Sequence, residues 1–170
     1  NHQFVRLVAI KRRFERCDFS SCEFESAYLR DCVFDTCNFT GARFRNSNLR
    51  QTKFEGCQFD YAEFNHTHIE PEILNSGLPS RENVQQKFLR SLRLNFQQIG
   101  DSVAANKAIG LELSATRVHL HKAWRSSESY YRKHHKGFGR VRSFFEWSDF
   151  IFLDFFWGNG ESLWKLLRTI

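Results

Sequence analysis

The chain has 170 residues, 25 Lys+Arg against 19 Asp+Glu for a formal net charge of +6, hydrophobic residues at 41%, and 19 Phe. No stretch reaches the run of about 18 uncharged apolar residues that a bilayer-spanning helix needs, so the sequence itself holds no span, and the length allows one domain or two small ones with a real core. It begins without Met and without the basic, apolar and small-residue succession of a signal peptide, so a fragment or processed form is expected.

Residues 1–11 precede the first regular pattern and are expected to form an N-terminal cap. From residue 14 a five-residue register begins: Phe14, Phe19, Phe24, Leu29, Phe34, Phe39, Phe44, Leu49, Phe54, Phe59, Phe64 and Ile69 follow one another without a slip. Two residues before each of these lies a register of small side chains, broken only by Arg12, which contains all five cysteines: Cys17, Cys22, Cys32, Cys37 and Cys57. A period of five fits neither the 3.6 of a helix nor the 2 of a strand. The chain must turn the same way at every repeat and coil into a solenoid over 12–74, with one large residue at the centre and one small residue beside it. Asp18, Glu23, Asn38, Arg43, Asn48, Lys53, Gln58 and Glu63 then point outward, and stacked coils bury what one coil cannot.

At CDFSS, CEFES, CNFTG, ARFRN, SNLRQ, CQFDY and AEFNH the sequence resembles the pentapeptide-repeat family. The resemblance implies a β-solenoid, a right-handed quadrilateral β-helix of about three coils, whose outward residues face solvent or a partner and which carries no catalytic activity. The cysteines occupy the slot that Ala, Ser and Thr fill elsewhere, so the register assigns them to packing as small hydrophobes, not to a metal. A reducing compartment is expected for stacked thiols.

A Pro- and Gly-containing linker at 75–80 ends the register. Ser80 is the expected N-cap of a helix whose stripe is Val84, Phe88, Leu92, Phe96 and Ile99. Gly100 ends it, and Asp101 or Ser102 caps a second helix through Ala104, Ala105 and Ala108, giving a hairpin that covers the open end of the solenoid within a region at 81–143. Phe4, Phe88, Phe96 and Phe138 are expected in the core. Charge is uneven, since 117–142 holds eight Lys or Arg against Glu128 alone.

Residues 144–170 form a C-terminal helical aromatic segment, apolar nearly all round and therefore expected to be buried or docked. Basic residues followed by aromatic ones suit the cytoplasmic approach to a membrane. The residues expected to bind lipid or a partner are Arg125, Arg132, Lys133, Lys136, Arg140, Arg142, Phe144, Phe145, Trp147, Phe150, Phe152, Phe155, Phe156 and Trp157. The hairpin and the turn Trp157-Gly158-Asn159-Gly160-Glu161 also resemble bacterial pentapeptide-repeat membrane proteins that continue into a small ion-channel-like part, with Leu163 to Ile170 as the entry to a first span.

There is no G-x-S-x-G, no phosphate-cradling Gly loop and no H-E-x-x-H, and His119 and His121, two apart on a helix, do not share a face. No catalytic residue, cofactor or metal is expected. The reading is a non-enzymatic scaffold on the cytoplasmic side of the inner membrane, using the solenoid for a protein partner and the basic aromatic segment for anionic lipid or a membrane part, with a homo-oligomer possible. Two alternatives stand beside it. DNA mimicry toward gyrase, implied by the resemblance, wants a long acidic rod, whereas 12–69 is nearly neutral; nucleic-acid binding would use the basic segment 117–142.

Overall fold

The structure is a computed structural model and describes residues 2–125, 130–131 and 138–157, with side chains described to 153. Within it the chain divides into two compact units, Asn1–Glu112 and Leu113–Ile170.

The first unit is a β-solenoid of about three turns followed by helices. Its strands are β1 (Gln3–Val5), β2 (Arg13–Glu15), β3 (Glu23–Glu25), β4 (Val33–Asp35), β5 (Arg43–Arg45), β6 (Asn48–Leu49), β7 (Lys53–Glu55), β8 (Glu63–Asn65) and β9 (His68–Ile69). Every ladder is parallel and joins residue i to i+20, as in Phe4 to Phe24 to Phe44 to Phe64 and Phe14 to Phe34 to Phe54. Two further faces are completed by the bridges Val8 to Tyr28 to Asn48 and Asp18 to Asn38 to Gln58. Four five-residue repeats therefore make one coil.

The period of five has a backbone cause. Thirteen residues at five-residue intervals, from Arg6 to His66, have φ between +46° and +67°, and only Gly41 and Gly56 among them are glycine. A single left-handed residue between short extended segments turns the chain, and repeating it closes the coil. An L side chain resists this conformation by about 1–2 kcal/mol per residue. Ladder bonds hold it in place: Arg6, Ser26 and Asn46 each donate their corner N–H to the coil above at 2.9–3.0 Å. Asp18 and Asn38 each accept from the amide two residues on, Ser20 at 2.9 Å and Thr40 at 3.0 Å, adding local turns at the bends.

Inside, the large register makes three columns of stacked rings: Phe4, Phe24, Phe44 and Phe64; Phe14, Phe34 and Phe54; Phe19, Phe39 and Phe59. Centroids within a column lie 4.7–5.4 Å apart. Leu29, Leu49 and Ile69 are buried on the remaining face.

The expected N-terminal cap over 1–11 is instead the first coil. β1 lies in the ladder, Phe4 stacks on Phe24 at 5.0 Å, and Arg6 and Lys11 already occupy left-handed corners. The register had broken at Ala9, whose slot calls for Phe or Leu. Phe4, Phe14, Cys17 and Phe19 are only half-buried at this end.

At the other end a 3-10 turn, Pro71–Leu74, buries Ile73 and Leu74. Gly77, at φ +73°, brings its backbone so near Phe59 that an added Cβ would lie 2.9 Å from the ring. Helix α1 spans Glu82–Gln98; Arg81, not Ser80, holds the N-cap position, in an extended conformation and without a side-chain capping bond. Phe88 of α1 stacks on Phe59 at 5.5 Å and meets Phe64 edge-on at 6.2 Å, so the helix covers the last coil. Gly100, at φ +79°, ends the element, and Asp101 caps α2 (Ser102–Arg125) by accepting the Ala104 amide at 2.9 Å. Arg93 ties α1 to α2 through Glu112 at 2.7 Å. The boundary between units therefore falls inside α2 and not near 75–80, because the apolar face of α1 is used on the solenoid.

Candidate functional site

The solenoid end is closed by polar chemistry as much as by apolar cover. Each coil presents N–H and C=O groups to the next, and the last coil has no successor. Three side chains one turn apart on α1 supply the missing partners: Ser91 Oγ accepts from Phe64 N at 2.9 Å, Asn95 Oδ1 from Thr67 N at 2.8 Å, and Gln98 Oε1 from His66 N at 3.0 Å. Asn95 also donates from Nδ2 to Thr67 O at 2.8 Å and is wholly buried. In the coils below, Ala27 N finds Ser47 Oγ and Ser47 N finds Thr67 Oγ1, so Asn95 occupies the place of the next small-register hydroxyl.

That register works as internal glue. Cys32, Cys37 and Cys57 donate their thiols to Ala9 O, Phe14 O and Phe34 O, 23 residues back, at 3.3–3.4 Å. Thr67 and Ser47 donate hydroxyls to the equivalent carbonyls of Phe44 and Phe24, and Thr52 does so to Leu29 O. All five cysteines are free thiols, and burial pushes Cys37 up and Cys57 up to about 11. Since the thiolate is the nucleophile, such thiols are inert. The raised value of Cys57 stabilises the fold below the unfolded thiol range of about 8.5 and is lost as pH rises through about 11. Melts across that window should therefore fall more steeply than those of Cys57→Ser, which fits the same slot as Ser47, and half-buried Cys17 should react with a thiol reagent before Cys57.

In the second unit, α3 (Phe138–Trp157) carries the described part of the basic aromatic segment. Trp124 of α2 meets Phe144 at 5.3 Å and Trp147 at 5.6 Å, with His121 5.9 Å from Trp147. Ala123 and Ser143 are buried nearby in sequence, and His119 contacts the buried Tyr131 through Nδ1 and the phenol oxygen at 3.0 Å. His119 and His121 thus engage different aromatic partners. Arg125, Arg140 and Arg142 are exposed, and Arg142 pairs with Glu146 at 2.7 Å.

The expectation that Phe138 lies in the core is corrected, since it is 91% exposed. In the segment expected to be buried or docked, Phe145 and Phe152 are 60% and 59% exposed, with Phe144, Val141 and Leu153 also open. Trp147, Phe150 and Ile151 are half-buried. One aromatic cluster around Trp124 cannot cover a helix apolar on most sides. Arg132, Lys133 and Lys136 lie outside the described residues, as do the side chains of Phe155, Phe156 and Trp157, the turn at 158–161 and residues 163–170. Among the described residues no group of three metal-ligating side chains occurs, and no helix is long and apolar enough to cross a membrane.

Parallel ladders at a fixed interval of 20, one left-handed corner per five residues and a stacked aromatic interior define a β-solenoid repeat protein. Residues 11–77 match the family model of the pentapeptide repeat region, and this part of the chain is a pentapeptide-repeat solenoid. No curated protein matches the chain. The fold is a repeat scaffold, of a kind typically structural or interacting and not enzymatic. The match stops at residue 77, so it lends no support to the narrower likeness to channel-like membrane proteins.

Proposed function

We propose that the chain is a non-enzymatic interaction module: the solenoid binds a protein partner, and the basic aromatic segment holds the module to anionic lipid at the inner, cytoplasmic face of a membrane. The observation that carries the lipid reading is α3, where Phe144, Phe145, Phe152 and Leu153 are open to solvent beside Arg140 and Arg142. Exposed aromatics of this kind settle at the level of the headgroups, and each Lys or Arg near an anionic surface adds about 1 kcal/mol.

The full chain should float with vesicles of phosphatidylcholine containing phosphatidylserine and remain at the bottom with phosphatidylcholine alone. Raised salt should release it, because the charge part of the attraction is screened. Phe145→Ser with Phe152→Ser should reduce flotation at least about tenfold, since each exposed ring loses roughly 1.5–3 kcal/mol of burial. Absence of flotation with anionic vesicles at low salt would remove the lipid reading.

A further inference from the structure

Where α1 lies along β8, the surface is hollowed to about 380 Å³. Two cations, Arg43 and Arg45, rise from β5, and two more, Lys87 and Arg90, come from exposed positions on α1; Tyr61 and Leu94 form an apolar wall. The strand guanidiniums already have partners one coil away: Arg43 lies 3.5 Å from Glu63 and Arg45 lies 2.7 Å from Glu23. The helix cations have no ion pair among the described residues, although the Lys87 ammonium sits 5.7 Å from the Tyr61 ring centre. The hollow therefore presents uncompensated positive charge beside two exposed apolar side chains, Tyr61 and Leu94.

We infer that this hollow binds a short acidic peptide segment carrying an apolar or aromatic anchor, its carboxylates meeting Lys87 and Arg90 and its anchor lying against Leu94 and Tyr61. The inference rests on the reading of the solenoid as a protein-binding scaffold and names the partner's chemistry. Charge complementarity selects an acidic partner, and the volume is of the order that encloses a compact group, about 300–1,000 Å³. A nucleic acid fits less well. Its backbone needs cations along an extended track, whereas here they ring one hollow with Glu63 in its lining.

The test measures anisotropy of a short fluorescein-labelled peptide of glutamate and phenylalanine mixed with the full chain. Binding should weaken at least about tenfold, or roughly 1.4 kcal/mol, in Lys87→Glu with Arg90→Glu and also in Leu94→Ser. It should persist in Lys11→Glu with Lys107→Glu, which changes net charge equally at exposed positions outside the hollow. A glutamine-for-glutamate peptide should bind at least about tenfold more weakly. Equal binding by that peptide, no effect of the helix variant in a protein whose circular dichroism is unchanged, or tighter capture of duplex DNA with the same dependence on Lys87 and Arg90 would each overturn the inference. The flotation result is independent of it, so loss of peptide binding with flotation intact would discard this site and leave the lipid reading standing.

Discussion

Replacing Asn95 with leucine is expected to destabilise the first unit by about 2–6 kcal/mol, because the Thr67 N–H and C=O would be buried without partners at about 1–3 kcal/mol each. Leucine keeps the branched four-heavy-atom outline of asparagine, so the change removes the hydrogen bonds without opening a cavity. The two bonds are 2.8 Å each and Asn95 is wholly buried, leaving no water to replace them. Urea unfolding followed by far-ultraviolet circular dichroism reports this directly, and exchange of the Thr67 amide should accelerate with it. The four tryptophans, at 124, 147, 157 and 164, all belong to the second unit, so their fluorescence gives a separate signal. A midpoint equal to that of the parent protein would mean that α1 covers the coil by apolar contact alone. Ser91→Ala should cost less, about 0.5–1.5 kcal/mol, since it removes one bond from a half-buried position.

The solenoid was legible because its physics repeats. One large residue recurs at every fifth position from Phe14 onward, and one small residue at every fifth position from Cys17 onward. The first coil escaped because Ala9 stands where the register calls for Phe or Leu, although Phe4 keeps the phase. The period showed that the chain turns at every repeat, but not which residue turns it. Gly41, Gly56, Asp31, Asn46 and His66 follow the usual preference for positive φ, whereas Arg6, Lys11, Thr36 and Tyr61 do not announce it. Asn95 was hidden for a different reason: a polar residue on an amphipathic helix reads as solvent-facing, and its burial follows only from a coil that ends beside it.

The same distinction holds for the candidate surfaces. The richness of 144–157 in aromatics was visible in sequence, but which of them stay open depends on how much of α3 one cluster around Trp124 can cover. The hollow beside α1 had no linear signature, since Arg43 and Arg45 stand some forty positions before Lys87 and Arg90 and meet them only because the capping helix crosses that face. Repeats whose outward positions alternate in sign from coil to coil hide such sites. Arg45 is neutralised by Glu23 one coil away, so local charge depends on stacking and not on sequence neighbourhood.

Phe39→Ala should be the most damaging single core change, at about 3–5 kcal/mol. Phe39 is fully buried in the middle of the solenoid and touches five other rings: it stacks on Phe19 at 5.3 Å and on Phe59 at 5.2 Å, and meets Phe34, Phe44 and Phe54 at 5.2–5.8 Å. Its neighbours are locked in ladders above and below, so the cavity cannot collapse. Phe4→Ala, at the open first coil, is expected to cost no more than about 2 kcal/mol, because Phe4 is half-buried and has two ring partners, Phe24 at 5.0 Å and Phe19 at 6.2 Å. In a stack where each coil touches only its neighbours, a terminal defect frays one end while a central defect separates the two halves. Hydrogen exchange should show this difference in extent: Phe4→Ala should expose amides of the first coil alone, and Phe39→Ala should lower protection from the first coil to the last. Equal losses of stability from the two variants would show that the end coils contribute as much as the centre, contrary to the gradient of burial from Phe4 to Phe39.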